Sequence, residues 1–278
     1  MICAWKELLG ILPLWMRNEV DRFGKETLQE LRLRLHAPPE LRLGSGSIWL
    51  ERKITADDLK QCVNNASRYS PWNAVTVEQG YLTAPGGHRI GLCGEAVCRG
   101  GSMAGIRDVS SLCIRVARDF PGIAGEIGQL DSSILIFGAP GWGKTTLLRD
   151  LIRQRSDMGC QTAVVDERRE LFPMGDCFFS GKCTDILTGC PKREGISTVL
   201  RTMGPDCIAV DEITAEEDCH ALLEAGRCGV QLLATAHGTG IREIRNRRIY
   251  RELLDGRLFD YVVVMNRDKS WRVERMDR

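Results

Sequence analysis

Long apolar runs are the first thing this 278-residue chain lacks. No stretch approaches the ~18 residues that a membrane-spanning helix requires, which argues against a spanning segment. A surplus of one charge is missing as well. Lys and Arg number 38 and Asp and Glu number 37, for a formal net charge of +1, so there is no global pull toward nucleic acid or anionic lipid. The 12 cysteines include no C-x-x-C pair, the tightest spacing being Cys93 to Cys98. His36, His88, His220 and His237 are scattered without zinc spacing. Internal repeats and low-complexity segments are absent. The apolar stretch from Ile2 to Trp15 carries Lys6 and Glu7, is broken by Pro13, and has neither a basic leader nor a small-residue cleavage site. It reads as an amphipathic helix docked on the protein or on a partner rather than as a signal peptide. A hydrophobic content of 43% and a charged content of 27% fit a globular chain of one large or two modest domains.

What is present is most informative at Gly138-Ala139-Pro140-Gly141-Trp142-Gly143-Lys144-Thr145. This fits G-x-x-x-x-G-K-[ST], the Walker A type of phosphate-binding loop. The apolar run Ser133 to Phe137 before it reads as a buried strand, and Thr146 to Ile152 after it reads as a helix, the context the motif needs. Glycines allow the loop N–H groups to turn inward around a polyphosphate, and the helix N-terminus adds partial positive charge. Lys144 is placed to reach the outer phosphates, and the Thr145 hydroxyl to ligate Mg²⁺. Thr146 continues the site into the first helical turn.

Further on, Cys207-Ile208-Ala209-Val210-Asp211-Glu212 is an apolar strand ending in two acids. Phosphoryl transfer needs one carboxylate for the Mg²⁺ shell and another to position the attacking water; Asp211 fits the first role and Glu212 the second. Asp166-Glu167-Arg168-Arg169-Glu170 follows another apolar strand, Thr162 to Val165. Its acids belong at the carboxyl edge of the sheet, although a solvated charged loop is the usual fate of such a run. Thr235-Ala236-His237-Gly238 ends the strand that starts at Val230, so His237 reaches the same edge. With Tyr261 to Val264, these strands alternate with helical segments and predict an α/β fold with a mostly parallel sheet covered on both faces.

The first 120 residues read as a smaller α+β unit. Leu31 to Leu35 alternates apolar and basic residues and reads as a half-buried strand. Pro38-Pro39 ends it, and Ser47 to Leu50 is a second short strand. A helix is predicted from Thr55 as N-cap, with Asp58 at the third helical position, to about Tyr69. Gly80 to Thr83 and His88 to Leu92 flank Ala84-Pro85-Gly86-Gly87 as a hairpin. Ser111 to Val116 is a further strand. Arg118 to Asp131 reads as a linker, which divides the chain into residues 1–120 and 121–278. The basic cluster Arg242, Arg245, Arg247, Arg248 and Arg251 carries interspersed acids and no aromatics, and reads as a solvated face.

Taken together, these strings resemble the stage III sporulation AA family, mother-cell ATPases of spore-forming bacteria. The resemblance runs from Glu30 to about Arg267. It rests on Glu30-Leu31-Arg32-Leu33-Arg34, Gly80 to Thr83, Gly86 to Gly91, Gly143 to Asp150, Val165 to Arg168, Cys190-Pro191-Lys192, Asp211-Glu212-Ile213 and Thr235 to Gly238. That family is in turn similar to the ATPases of type II and type IV secretion machines. The resemblance implies a RecA-like P-loop ATPase domain behind the α+β domain, with Glu167 and Glu170 on an acidic box, Glu212 as catalytic glutamate and His237 on a histidine box. It also implies Arg89 and Arg115 as arginines of the N-terminal domain that reach the nucleotide.

The cofactors implied are ATP and Mg²⁺. The partners implied are further copies of the chain in a ring, a hexamer by the resemblance, and membrane proteins of a channel between mother cell and forespore, with no nucleic acid. The protein is then cytoplasmic and peripheral to a membrane complex. Two positions depart from the family pattern: Thr214 stands where glycine is usual, and Trp142 where a small residue is usual. The four-cysteine zinc insertion frequent in type II secretion ATPases is missing. Alternatives are a RecA-like motor stimulated by nucleic acid, which near-neutral charge disfavours, and an ATP-gated scaffold with little hydrolysis. A GTPase is disfavoured by the lack of an Asn-Lys-x-Asp string, and a small-molecule kinase by the lack of an obvious second pocket or lid.

Overall fold

The computed structural model describes residues 1–67, 80–173, 178–238, 243 and 247–276. The chain folds as two compact units, Met1–Asp119 with Pro173–Phe178, and Phe120–Phe172 with Phe179–Arg278.

The N-terminal unit opens with helices α1 (Trp5–Ile11), α2 (Leu14–Asp21) and α3 (Gly24–Thr27). Strands β1 (Leu28–Arg34), β2 (Glu40–Leu43) and β3 (Gly46–Trp49), helix α4 (Ala56–Ser67), and strands β4 (Tyr81–Thr83), β5 (Arg89–Arg99) and β6 (Ser102–Arg115) follow. The six strands form one antiparallel sheet in the order β3-β2-β1-β6-β5-β4. In β1 the alternation predicted from sequence holds: Leu31 and Leu33 are buried and lie opposite Ile114 and Leu112 of β6. They share a core with Leu8, Leu12 and Met16 from the first helices and with Leu59 and Cys62 of α4. Thr55 and Asp58 form the predicted reciprocal cap: Asp58 N–H donates to Thr55 Oγ1 at 3.2 Å, and Thr55 N–H to Asp58 Oδ2 at 2.9 Å. The expected helix end near Tyr69 lies outside the described residues.

The strand expected at Ser111 to Val116 is only the end of β6, which pairs with β5 along a long hairpin. The outer part of that hairpin is largely exposed, so it carries no apolar alternation to read. Gly94 is needed there, because a Cβ would lie 2.6 Å from the carbonyl oxygen of Arg107.

The C-terminal unit contains β7 (Ile134–Gly138), α5 (Lys144–Asp157), β8 (Thr162–Asp166), β9 (Thr184–Thr188), α6 (Lys192–Thr202) and β10 (Cys207–Ile213). It continues with α7 (Glu216–Arg227), β11 (Gln231–His237), α8 (Arg248–Asp255), β12 (Tyr261–Met265) and β13 (Trp271–Arg275). The sheet order is β13-β12-β7-β11-β10-β8-β9, parallel throughout except for the antiparallel edge strand β13. The central strands are apolar without alternation because both faces are covered. Leu135, Phe137, Val165, Ile208 and Val210 join a core with Ile196 of α6, Leu222 of α7 and Leu253 of α8. Alternate residues such as Ile134 and Ile136 point the other way, and α5 packs on β7, β10 and β11.

The stretch read as a linker is more structured than expected. Asp119 pairs with Ile2, and Gly125–Gln129 forms a 3₁₀ turn. Gly122 and Ala124 donate their N–H groups to the Asp150 carboxylate of α5 at 2.9 and 2.8 Å. The acid that orders this stretch lies on a helix beyond the loop, so no local pattern announces it.

Candidate active site

Each element of the site is delivered by the end of a parallel strand. β7, β11, β10 and β8 are neighbours in that order, so their carboxyl ends bring Gly138, His237, Asp211-Glu212 and Asp166 to one edge of the sheet. Ligands of open α/β sheets bind at this edge.

The loop from Ala139 to Gly143 connects β7 to α5. Gly141 and Gly143 have φ of 77° and 102°, a region that favours glycine. Gly138 is required for a different reason: a Cβ there would lie 2.9 Å from Cβ of Met265 and 3.3 Å from Cγ of Lys144. Trp142 is half-buried. Lys144 is buried and donates from Nζ to the carbonyls of Gly138 at 2.8 Å and Ala139 at 3.3 Å. Burial lowers its pKa from the ordinary lysine value, and the Glu212 and Asp211 carboxylates oppose that shift.

Thr145 at the start of α5 donates its hydroxyl to Asp211 Oδ2 at 3.0 Å. The other carboxylate oxygen, Oδ1, accepts the Thr235 hydroxyl at 2.6 Å, and Thr235 Oγ1 in turn accepts the Glu212 N–H at 2.8 Å. The register of β10 against β11 shifts between Val210 and Ile213, and Glu212 sits at φ 42°. Successive strand residues normally face opposite sides; this bulge breaks the alternation just where the two carboxylates lie. Glu212 Oε1 is 3.7 Å from His237 Nε2, and its Oε2 is 3.6 Å from Arg168 Nη1.

The acidic run after β8 divides into two roles. Asp166 is buried and takes the N–H groups of Glu170 at 2.8 Å, Leu171 at 2.9 Å and Phe172 at 3.1 Å, so it fixes the turn that follows. Burial raises its pKa to about 6 against the opposing effect of those hydrogen bonds. Glu167 Oε2 pairs with Lys192 Nζ of α6 at 2.5 Å. Glu167, Glu170, Lys192, Asp211 and Glu212 line one small cleft. Glu167, Arg168 and Glu170 thus share a cleft with the Asp211-Glu212 pair. Arg149 of α5 holds the turn from behind, donating to the Glu170 carbonyl at 3.0 Å.

Arg89 and Arg115 lie directly opposite each other on β5 and β6 of the N-terminal unit. Arg89 stacks on Tyr81, 4.5 Å from the ring centroid, and Arg115 Nε is 3.7 Å from Glu30 Oε2. Of the basic cluster, Arg242 and Arg245 fall outside the described residues, while Arg251 and Arg247 are exposed.

Sequence reasoning passed over Thr235, Arg168 and Lys192. A threonine inside an otherwise apolar strand was the available signal for Thr235. Lys192, part of the Cys190-Pro191-Lys192 string, follows the N-cap Pro191 of α6 and is buried, a cost that implies a partner.

A parallel sheet with a glycine loop between β7 and α5, acids on the adjacent strand ends, and an antiparallel edge defines the RecA-like P-loop NTPase fold. The solved structures it resembles agree. The ATPase DotB of Legionella pneumophila matches with a TM-score of 0.59 and 16% identity over 95% of this chain and 80% of that one. The pilus retraction motor PilT, solved with bound ADP, matches with a TM-score of 0.63 and 14% identity over 94% and 83%. The family described as Sporulation stage III, protein AA, matches residues 6–275, and the chain belongs to it. It is 34% identical to Stage III sporulation protein AA of Bacillus subtilis (strain 168), over 95% of this chain and 92% of that protein. Among the described residues no helix is long and apolar enough to cross a membrane.

Proposed function

We propose that this protein is a Mg²⁺-dependent ATP hydrolase that acts in sporulation as a ring of identical subunits docked on membrane proteins. The observation that carries the proposal is the convergence of Lys144, Thr145, Asp211, Glu212 and His237 at the ends of adjacent strands. The glycine loop and the α5 N-terminus favour a polyphosphate, with Lys144 exchanging its two loop carbonyls for phosphate oxygens. The Thr145 hydroxyl and the Asp211 carboxylate, 3.0 Å apart, are hard oxygen donors of the kind Mg²⁺ takes. Thr145 would ligate the ion and Asp211 hold its shell; when bound, Mg²⁺ neutralises charge that develops on the phosphates. Glu212 orients the attacking water and accepts its proton. Thr235 fixes the backbone from which Glu212 projects, and His237 stands beside the same carboxylate to sense the terminal phosphate.

Glu167 and Glu170 act with Glu212 in the acidic cleft, and Lys192 sets the position of Glu167. Arg89 and Arg115 supply positive charge toward the nucleotide from the N-terminal unit. The sporulation family, and the name of the pilus motor among similar folds, support a role in powering or assembling a membrane apparatus between mother cell and forespore.

The test is phosphate release from Mg-ATP across protein concentration. Activity that rises more than linearly supports sites shared between subunits. Lys144→Ala abolishes it through lost binding. Glu212→Gln abolishes turnover while ATP still binds, and full turnover in both variants overturns the proposal. Arg89→Ala lowers turnover at least about tenfold with little change in binding.

A further inference from the structure

At the edge of the parallel sheet opposite the glycine loop, the entrances to two strands are locked together. Cys160 lies in the turn between α5 and β8, and Cys207 is the first residue of β10. Gln161 N–H donates to Asp206 Oδ2 at 2.9 Å, and the Gln161 carbonyl accepts the N–H groups of Asp206 at 2.9 Å and Cys207 at 3.1 Å. The Cys160 N–H is tied in turn to the Arg155 carbonyl at 3.2 Å. Both cysteines are therefore fixed by their backbones, and their side chains meet: the Cys207 thiol donates a hydrogen bond to the Cys160 sulfur.

The two sulfurs are unequal. Cys207 is fully buried and Cys160 is half-buried, so a reagent from solvent reaches Cys160 first. The hydrogen bond from Cys207 lowers the Cys160 pKa to about 7 against the effect of burial; the Thr162 hydroxyl and the Arg155 charge add to the shift, and Asp206 opposes it. The same hydrogen bond, with burial, pushes the Cys207 thiol well above its usual range. At neutral pH one sulfur has thiolate character and the other keeps its proton. That is the division of labour between an attacking thiol and a resolving one.

Arg155 of α5 supplies an independent observation. It is buried, and donates from Nη1 to Gln231 Oε1 at 2.6 Å and from Nη2 to the Ser132 carbonyl at 2.6 Å. Its Nε is the one buried side-chain nitrogen or oxygen among the described residues without a hydrogen-bond partner. Such groups are rare in folded proteins and call for a reason. The Arg155 charge favours the ionised form of both thiols, and an uncommitted N–H beside them suits a sulfur that gains negative charge.

We propose that Cys160 and Cys207 are a redox-modifiable pair, in which a hydroperoxide oxidises Cys160 and Cys207 closes the product to an intrachain disulfide. The Cys160 thiolate attacks one peroxide oxygen; the O–O bond breaks, hydroxide leaves, and Cys160 becomes a sulfenic acid. The Cys207 sulfur then attacks that sulfur. The S–O bond breaks as the S–S bond forms, and the Cys207 proton leaves with the hydroxide as water. The two sulfurs together lose two electrons and the peroxide gains them. No step calls on the nucleotide site.

The full chain, reduced and then treated with hydrogen peroxide while folded, is alkylated and mapped by peptide mass spectrometry. The expected product is a Cys160–Cys207 disulfide that dithiothreitol reverses. In Cys207→Ala the sulfenic acid has no resolving thiol, so dimedone traps it on Cys160. Formation of that adduct at pH 7 is at least about threefold slower than loss of the Cys160 thiol in the wild type, because the hydrogen bond that favours the thiolate is gone. The wild-type map decides the assignment even if this variant does not fold. Cys160 left as a thiol while exposed Cys93, Cys98 and Cys228 are oxidised overturns it. So does a bond from Cys160 to Cys183, whose carbonyl accepts the Thr162 N–H at 2.9 Å. A sulfenic acid that persists on wild-type Cys160 overturns the role of Cys207.

Discussion

His88 shows how one residue can pin a unit. It is fully buried; its Nδ1 accepts the Ala117 N–H at 3.1 Å, and its Nε2 lies 2.9 Å from the Ala4 carbonyl. That pattern requires the neutral ring with its proton on Nε2. Burial depresses its pKa below the ordinary value of 6.5, and nearby Arg118 adds to the shift, while the Ala4 hydrogen bond and Glu7 oppose it. The unfolded chain therefore binds the proton first as pH falls. The stabilisation is whole above pH 6.5 and declines as pH drops below that value. Melting temperatures of the wild type should fall between pH 7 and 5.5 more steeply than those of His88→Gln. Parallel slopes would exclude this role.

Thr235 is the second residue with a sharp expectation. Thr235→Val removes the hydroxyl shared by Asp211 and Glu212 N–H, leaving that amide without its acceptor at a left-handed residue. A loss of about 1–3 kcal/mol should accompany at least about tenfold slower phosphate release, with Thr235→Ser restoring both; an unchanged rate in Thr235→Val would remove the role.

Among elements, α4 was the most legible helix, because its start is written in two residues. Asp58 caps the helix and also accepts the Trp15 indole N–H at 2.9 Å. Asp58→Ala should cost about 1 kcal/mol for the cap and more for the orphaned indole, whereas Thr55→Ala should cost only the cap. Denaturant unfolding of the two variants measures the difference. The central strands β7, β8, β10, β11 and β12 were legible as apolar runs because burial on both faces leaves little else for them to be. The edge strands β9 and β13 were not: Ile186 and Val273 are exposed, and their pairing is decided by a neighbour. β2 was missed because four residues after Pro38-Pro39 carry too short a pattern to separate from a loop.

At the scale of the molecule, the glycine loop of the candidate site was readable and the cavity wall beside it was not. The loop compresses its chemistry into one contiguous string, and an acid pair after an apolar strand is nearly as local. The cavity wall beside it draws Phe120 and Ile123 from one segment, which Asp150 of α5 holds, and Met265 and Lys269 from another, which the β7–β12 pairing brings beside the loop. The separate cores give a further expectation. Leu33 and Leu222 are fully buried, one in each unit. Leu33→Ala and Leu222→Ala should each lose about 2–5 kcal/mol and move different calorimetric transitions. One transition shifted equally by both would mean that the units unfold together.

Strand β7 pairs with β11 and β12, both of which follow it by a long stretch of chain. A nascent chain emerging from the ribosome therefore presents the most apolar strand of the site with neither edge covered until residues 231–237 arrive. The N-terminal sheet, whose partners β1 to β6 are made first, has no such wait. Vectorial synthesis leaves the edge that carries the candidate site to be assembled last, with β7 as the segment most in need of a chaperone meanwhile.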